Sequence, residues 1–494
     1  MLHLHERARL HWTGRAEARI DWDADTLLTR VDTLAQTLSK LPSGEVLALA
    51  GDNHPDWIVA DLACALSGHA VVPIPGFFTA QQTGHVCTQA RLRHVLHRGQ
   101  VLPLSAVWPQ LAGQLEYLTD APENAAAVGL PDGTQKITFT SGTTGQAKGI
   151  CLTWDQQMET ARALVDSLSA LNIRVHLNLL PLSVLLENIA GVYAPLMMGA
   201  RVVSLNLADV GLSGSSVFDP AVCAQAIASH GAESVILLPQ MLQALVAWVG
   251  ADAQRRHLLD RLRFVAVGGA ATPKATLDKA HQMGLPVFEG YGLTECASVV
   301  CLNTPTADCP GTVGTPLPGL DVGLADDGEI WVEGRSHAGV LGQPLQAGQS
   351  HAGRVYTGDL GHWIGQDGKR FLHITGRKKN ILITSFGRNV SPEWPERLLM
   401  DTGLFAQAVV MGDGLSQLRA AVVPLTAGIS GEQVRCAVQS VNQALPDYAQ
   451  MGAYLICTDA FTPANGLATP NGRPLRQRIE QHCAAQFARG TSGV

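Results

Sequence analysis

The chain has 494 residues, 46% of them hydrophobic and 16% charged, and 35 basic against 42 acidic side chains leave a net charge of −7. That composition excludes a disordered chain, and the mild acidity excludes the basic footprint of a nucleic-acid binder. The length exceeds what one hydrophobic core usually holds, so at least two domains are expected.

The opening MLHLHER has no long apolar stretch and does not read as a signal peptide. Apolar residues at helical spacing over 25–41 predict a surface helix. A short buried strand at 45–51, a helix at 57–66 and a strand at 70–74 follow, the alternation of a parallel sheet with crossover helices. The stretch 175–200 has no Lys or Arg and is long enough to cross a bilayer. Pro181, Asn188 and Pro195 interrupt it, however, and Glu187 near its centre would cost about 2.5–3.5 kcal/mol to insert, so it reads as buried core. The strand–helix alternation then recurs, with strands at 201–205, 234–238 and 264–268 and helices at 220–230 and 240–249.

From about residue 310 the texture changes. Gly311, Gly314, Gly319, Gly323 and Gly328 crowd between short strands at 322–325, 329–333 and 353–356, which predicts an antiparallel, barrel-like section. After a basic segment at 376–379 come a strand at 380–383 and a helix near 395–400. Strands at 407–411 and 418–424 and a helix at 432–445 complete a small α+β unit. The expected fold is α/β: a large N-terminal domain of doubly wound, mostly parallel sheets over residues 1–376, then a small C-terminal domain over 377–494. No repeat or low-complexity tract occurs. The ten cysteines show no C-x-x-C or zinc spacing and read as free thiols of a reducing cytosol, so a cytoplasmic location is expected.

Four segments carry chemistry. In ITFTSGTTGQAKG at 137–149, a strand runs into a loop of Ser, Thr and Gly closed by Lys148. Small residues let backbone N–H groups approach a polyanion, hydroxyls add donors and Lys neutralises charge, so this is a phosphate cradle. It is not a Walker loop, because Gly-Lys-Ser/Thr is absent, which excludes a conventional P-loop kinase or ATPase. In FEGYGLTEC at 288–296, Tyr291 offers a ring for a planar base and Glu295 a hard oxygen ligand for Mg²⁺. In VYTGDLG at 355–361, Asp359 could accept hydrogen bonds from two ribose hydroxyls. The fourth is ITGRKKNILI at 374–383. Taken singly, the last three also fit ordinary turns.

Together, and in this order, the four segments resemble the signature set of the adenylate-forming superfamily, which includes acyl-CoA synthetases, adenylation domains of peptide synthetases and luciferases. The likeness runs from residue 25 to the C-terminus and includes Gly268-Gly269-Ala270, similar to that family's adenine-flanking turn, and the block from Gly376 to Glu396. Ala147 stands where the family usually has Pro. The resemblance implies a mobile C-terminal domain and two half-reactions: a carboxylate and Mg-ATP give acyl-AMP and pyrophosphate, then a thiol takes the acyl group. It implies that Thr140, Ser141, Gly142, Thr143, Thr144, Gly145 and Lys148 hold the phosphates, with Glu295 and Thr144 at Mg²⁺. Gly269, Ala270, Tyr291, Gly292 and Thr294 would flank the nucleotide, and Asp359 and Arg377 would hold the ribose. Lys379 would be the hinge, and Gly387 would lie along the thiol channel.

Two departures stand out. Where the family has its catalytic Lys near the C-terminus, this chain has Arg473 in NGLATPNGRPLR at 465–476. Arg473 is expected to bridge carboxylate and α-phosphate, with Arg476 the alternative. Val184 stands where many fatty-acyl relatives carry His, and Pro181, Leu182 and Ser183 offer no acid to pair an α-ammonium. An amino-acid substrate is therefore disfavoured. Val184, Leu185 and Leu186 suit a hydrocarbon chain, or are plain core. The expected activity is ATP-dependent activation of a medium- or long-chain fatty, or similar apolar, acid, with coenzyme A as acceptor. The phosphopantetheine of an acyl carrier protein is the alternative acceptor, and a non-catalytic nucleotide-binding relative the alternative class.

Overall fold

The computed structural model describes residues 4–14, 19–111, 129–140, 147–214, 217–343, 353–385, 388–469 and 472–489. A seven-stranded sheet has the order Gly339–Val340, Lys148–Thr153, Thr134–Thr140, Ala70–Pro73, Val46–Leu49, His94–His97, Gln100–Pro103. Val46–Leu49 pairs in parallel with both neighbours, as short all-buried apolar runs should. The crossover helix Pro55–Ser67 starts on a proline and ends at Gly68 with φ 76°, a left-handed cap that glycine adopts without steric cost.

A nine-stranded sheet runs Thr315–Pro316, Ser298–Leu302, Val287–Leu293, Phe264–Val267, Ser234–Leu237, Val175–Leu177, Arg201–Ser204, Arg9–Trp12, Ile20–Asp23. Its centre is parallel and both edges are antiparallel. The N-terminal edge pair is not legible in the sequence. Between the sheets lie helices such as Ala24–Leu38, whose Leu27, Val31, Ala35 and Leu38 face one core, and Trp154–Leu168. Asp23 caps the first of these through the Thr26 amide at 2.9 Å. The glycine-rich section forms a four-stranded antiparallel sheet, Asp321–Leu324, Glu329–Glu333, Val355–Gln366, Lys369–Arg377.

From Leu382 onward the chain builds separate apolar clusters around Phe405–Met411, Leu418–Pro424 and Met451–Ile456, flanked by helices Glu393–Asp401, Gly431–Gln443 and Arg476–Ala488. The last strand and last helix were not foreseen. All ten cysteines are free, and burial pushes thiols such as Cys223 up to about 12.

The stretch 175–200 is divided among a strand and short helical turns, and among the described residues no helix is long and apolar enough to cross a membrane. Its Glu187 is buried and accepts a hydrogen bond from Asn178 at 2.6 Å. Asn188 and Tyr193, five residues apart, would diverge on an α-helix, but the wider π turn Ile189–Tyr193 brings them onto one face. There they meet a buried ion pair: Lys136 Nζ lies 2.9 Å from Asp61 Oδ1 and donates to Asn188 Oδ1 and Tyr193 Oη. Asn188 and Tyr193 both donate to Asp61 Oδ2. Burial lowers the Lys136 pKa, while Asp61 opposes that shift. Removing one partner strands the other charge, so Lys136→Met should cost about 3–5 kcal/mol in urea denaturation, whereas a loss under about 1 kcal/mol would contradict this.

Candidate nucleotide-binding site

The strands Phe264–Val267 and Val287–Leu293 run in parallel. Their carboxyl ends lead into turns that carry motif residues, and the carboxyl ends of parallel strands are the usual ligand position in such sheets. The first leads into Gly269 and Ala270, both exposed, with Gly269 at φ 87°. The second carries Tyr291 and Gly292 and passes into the turn Thr294–Cys296. Gly292 has no substitute, because a Cβ there would lie 1.6 Å from the Ser298 carbonyl oxygen.

The four-stranded sheet adds Asp359 and Arg377, which are register partners on adjacent strands. Asp359 is buried, with Arg377 Nε 2.7 Å from its Oδ1, and Tyr291 Oη donates to its Oδ2 at 2.6 Å. Burial, then the Asp359 charge, pushes the Tyr291 phenol well above its ordinary value. The phosphate-cradle frame is an antiparallel pair in which Thr140 and Lys148 are register partners, and Lys148 is exposed. Ser141, Gly142, Thr143, Thr144, Gly145 and Gly387 lie outside the described residues.

Arg473 joins this group from the C-terminal section. Its Nη2 donates to the Gly269 carbonyl at 2.7 Å, and its charge interacts with Arg377, Asp359, Tyr291 and Glu295. Arg473 is exposed, yet desolvation by the protein around it, and then the Arg377 charge, lower its pKa. A guanidinium remains protonated regardless. Arg476, the alternative, points elsewhere: it pairs with Glu396 and donates to the Val410 carbonyl inside the C-terminal section. Glu295 is half-buried and its charge interacts with Arg473; its carboxylate is a hard oxygen donor of the kind that fits Mg²⁺.

Lys379 lies in the exposed turn Lys378–Asn380. Its neighbour Lys378, which the motif reading passed over, is held by Asp327 and Glu329 at 2.5 and 2.8 Å. Of the apolar trio, Leu185 is spent in one core cluster and Leu186 packs against two, while Val184 is half-buried. Core packing therefore accounts for Leu185 and Leu186.

The profile of the AMP-binding enzyme family matches residues 17–341. The long-chain-fatty-acid–CoA ligase FadD15 of Mycobacterium bovis is 27% identical, covering 90% of this chain and 88% of that protein. The 2-succinylbenzoate–CoA ligase of Bacillus cereus is 27% identical over 70% of each chain. The O-succinylbenzoate coenzyme A synthetase of Bacillus subtilis, solved with ATP and magnesium ion, superposes with a TM-score of 0.72 at 20% identity, over 95% of this chain and 96% of that one. The chain belongs to the AMP-binding enzyme family, among the AMP-forming ligases of the adenylate-forming superfamily.

The strand Val287–Leu293 also carries a titratable group that the motifs did not single out. Burial raises Glu289 from about 4.5 to about 7, against the opposing Gly311 amide, which donates to it at 2.7 Å. A folded pKa above the unfolded one stabilises fully below the unfolded value, and the benefit is lost as pH rises through the folded value. Glu289→Gln should therefore gain stability over the parent between about pH 5 and pH 8, by at most about 3 kcal/mol. Urea denaturation at both pH values checks this, and a pH-independent difference contradicts it.

Proposed function

We propose that the protein activates a medium- or long-chain fatty, or similar apolar, carboxylic acid with ATP and transfers the acyl group to coenzyme A. A carboxylate oxygen bonds to the α-phosphorus, the α–β bridging bond breaks, and pyrophosphate leaves. The thiolate of coenzyme A then attacks the acyl carbon and AMP leaves. The first step brings two anions together, so the site must screen charge and align the reactants. Lys148 and the 140–145 loop serve the phosphates, Asp359 and Arg377 the ribose, and Gly269, Ala270, Tyr291, Gly292 and Thr294 the base and its surroundings. Glu295, with Thr144, would hold Mg²⁺, which adds further screening.

The observation that carries the reading is Arg473, bonded to the Gly269 carbonyl and in electrostatic contact with Arg377, Asp359 and Glu295. A cation concentrated there has a use if a polyanion and a carboxylate meet. We further propose a domain boundary near residue 377, with Lys379 as hinge and Gly387 along the thiol path. Support comes from the separate apolar clusters after Leu382. The apolar acid rests on the missing acid near Pro181, Leu182 and Ser183, and on the fatty-acid relative, while other relatives are named for aromatic acids.

Pyrophosphate release from Mg-ATP, run with acids from acetate to palmitate and with and without coenzyme A, tests this. The expected result is release confined to one window of longer chains and raised by coenzyme A. Indifference to coenzyme A would move the acceptor to a carrier protein. Release with 2-succinylbenzoate alone would overturn the fatty-acid assignment, and no release with any acid would favour a non-catalytic nucleotide binder.

A further inference from the structure

The helix Lys274–Gln282 starts only four residues after the Gly269-Ala270 turn, and its own sequence leaves its N-terminus uncapped. Pro273 precedes it and gives no side-chain cap, and its first turn has no acidic residue. The exposed N–H groups of such an end need an acceptor, and a carboxylate serves best. Here the acceptor comes from far along the chain: Lys274 N donates to Asp401 Oδ1 at 2.7 Å. Asp401 ends the helix Glu393–Asp401, whose Leu399 is buried in the C-terminal core.

The Lys274 side chain is not part of this contact, since it pairs with Asp278 at 2.7 Å. One turn back on the same helix, Arg397 Nη1 donates to His373 Nε2 at 2.8 Å, across to the strand Lys369–Arg377. The segment 269–274 is thus gripped at both ends by the C-terminal section: Arg473 holds the Gly269 carbonyl and Asp401 the Lys274 amide.

We propose that Asp401 is a positioning residue for acyl-adenylate formation. By capping the helix Lys274–Gln282 from the other side of the junction, it docks the C-terminal section so that Arg473 reaches the Gly269 carbonyl. The inference rests on the two-step reaction proposed above. Asp401 touches neither substrate nor nucleotide turn, so its effect belongs to the docked arrangement alone. With Lys379 as the hinge proposed above, the two sections take another arrangement for thiol transfer, and that step does not need Asp401.

The test compares the full-length enzyme with Asp401→Ala and Asp401→Asn. Losing a typical cap is worth about a fivefold change in an equilibrium, so single-turnover pyrophosphate release should slow about fivefold in Asp401→Ala. Transfer from chemically prepared acyl-AMP to coenzyme A should be unchanged. Asp401→Asn should restore the first step, because an amide oxygen also caps helices. Hydrogen exchange across 269–276 should be faster in Asp401→Ala than in the parent, with or without substrates. The proposal is overturned if both half-reactions fall together, if neither falls, or if exchange at 269–276 does not change. If the parent itself releases no pyrophosphate, the proposed activity is wrong, and the exchange measurement alone still decides whether Asp401 docks the C-terminal section.

Discussion

One guanidinium ties the C-terminal section to the turn that carries Gly269 and Ala270. Arg473 reaches the carbonyl of Gly269, 204 residues earlier, and thereby places a permanent positive charge beside that turn. Arg377 stands near it, and like charges so placed repel unless anions come between them. Asp359 and Glu295 supply part of that compensation. A guanidinium carries five N–H donors in a fixed fork, so binding one carbonyl leaves others for a second acceptor. Lysine offers three donors around one compact charge. The exchange at this position changes the geometry of the site and keeps its sign.

Much of the remaining structure holds the groups around Arg473 in place. The buried Lys136–Asp61 pair anchors the strand Thr134–Thr140, which ends where the loop proposed to serve the phosphates begins. Asp359 is fixed by Tyr291 on one oxygen and Arg377 on the other, so its orientation is set before any ligand arrives. Arg476 ties the start of the last helix to Glu396, which steadies the segment carrying Arg473. These contacts are costly to leave half-made in a low-dielectric interior, which makes each position intolerant of simple truncation.

The sequence shows most of the parallel architecture, because buried strands there are continuous apolar runs and their helices carry plain start and stop residues. The helix at 220–230 emerges with its predicted bounds: Pro220 begins it, and Gly231 at φ 61° ends it. The N-terminal edge pair Arg9–Trp12 and Ile20–Asp23 escapes notice, since four-residue strands that mix Arg, His and Asp show no pattern until Arg201–Ser204 supplies a partner. Site residues inside dense motifs, such as Asp359 and Tyr291, stand out in the sequence. Lys136, Glu289 and Asp401 do not, because their roles arise from burial or from contacts with residues far along the chain. The different placements of Arg473, on the Gly269 carbonyl, and of Arg476, on Glu396, also come only with the fold, since three residues of sequence separate them.

The central claim is that Arg473 supplies the charge that joins the carboxylate to the nucleotide. ATP–pyrophosphate exchange at saturating acid, comparing the parent with Arg473→Ala, tests it most directly, with ATP binding measured alongside to separate docking from chemistry. Removing a donor aimed at developing charge typically costs about 100-fold or more in rate, so exchange should fall by about that factor while ATP still binds. Undiminished exchange in Arg473→Ala would contradict the account.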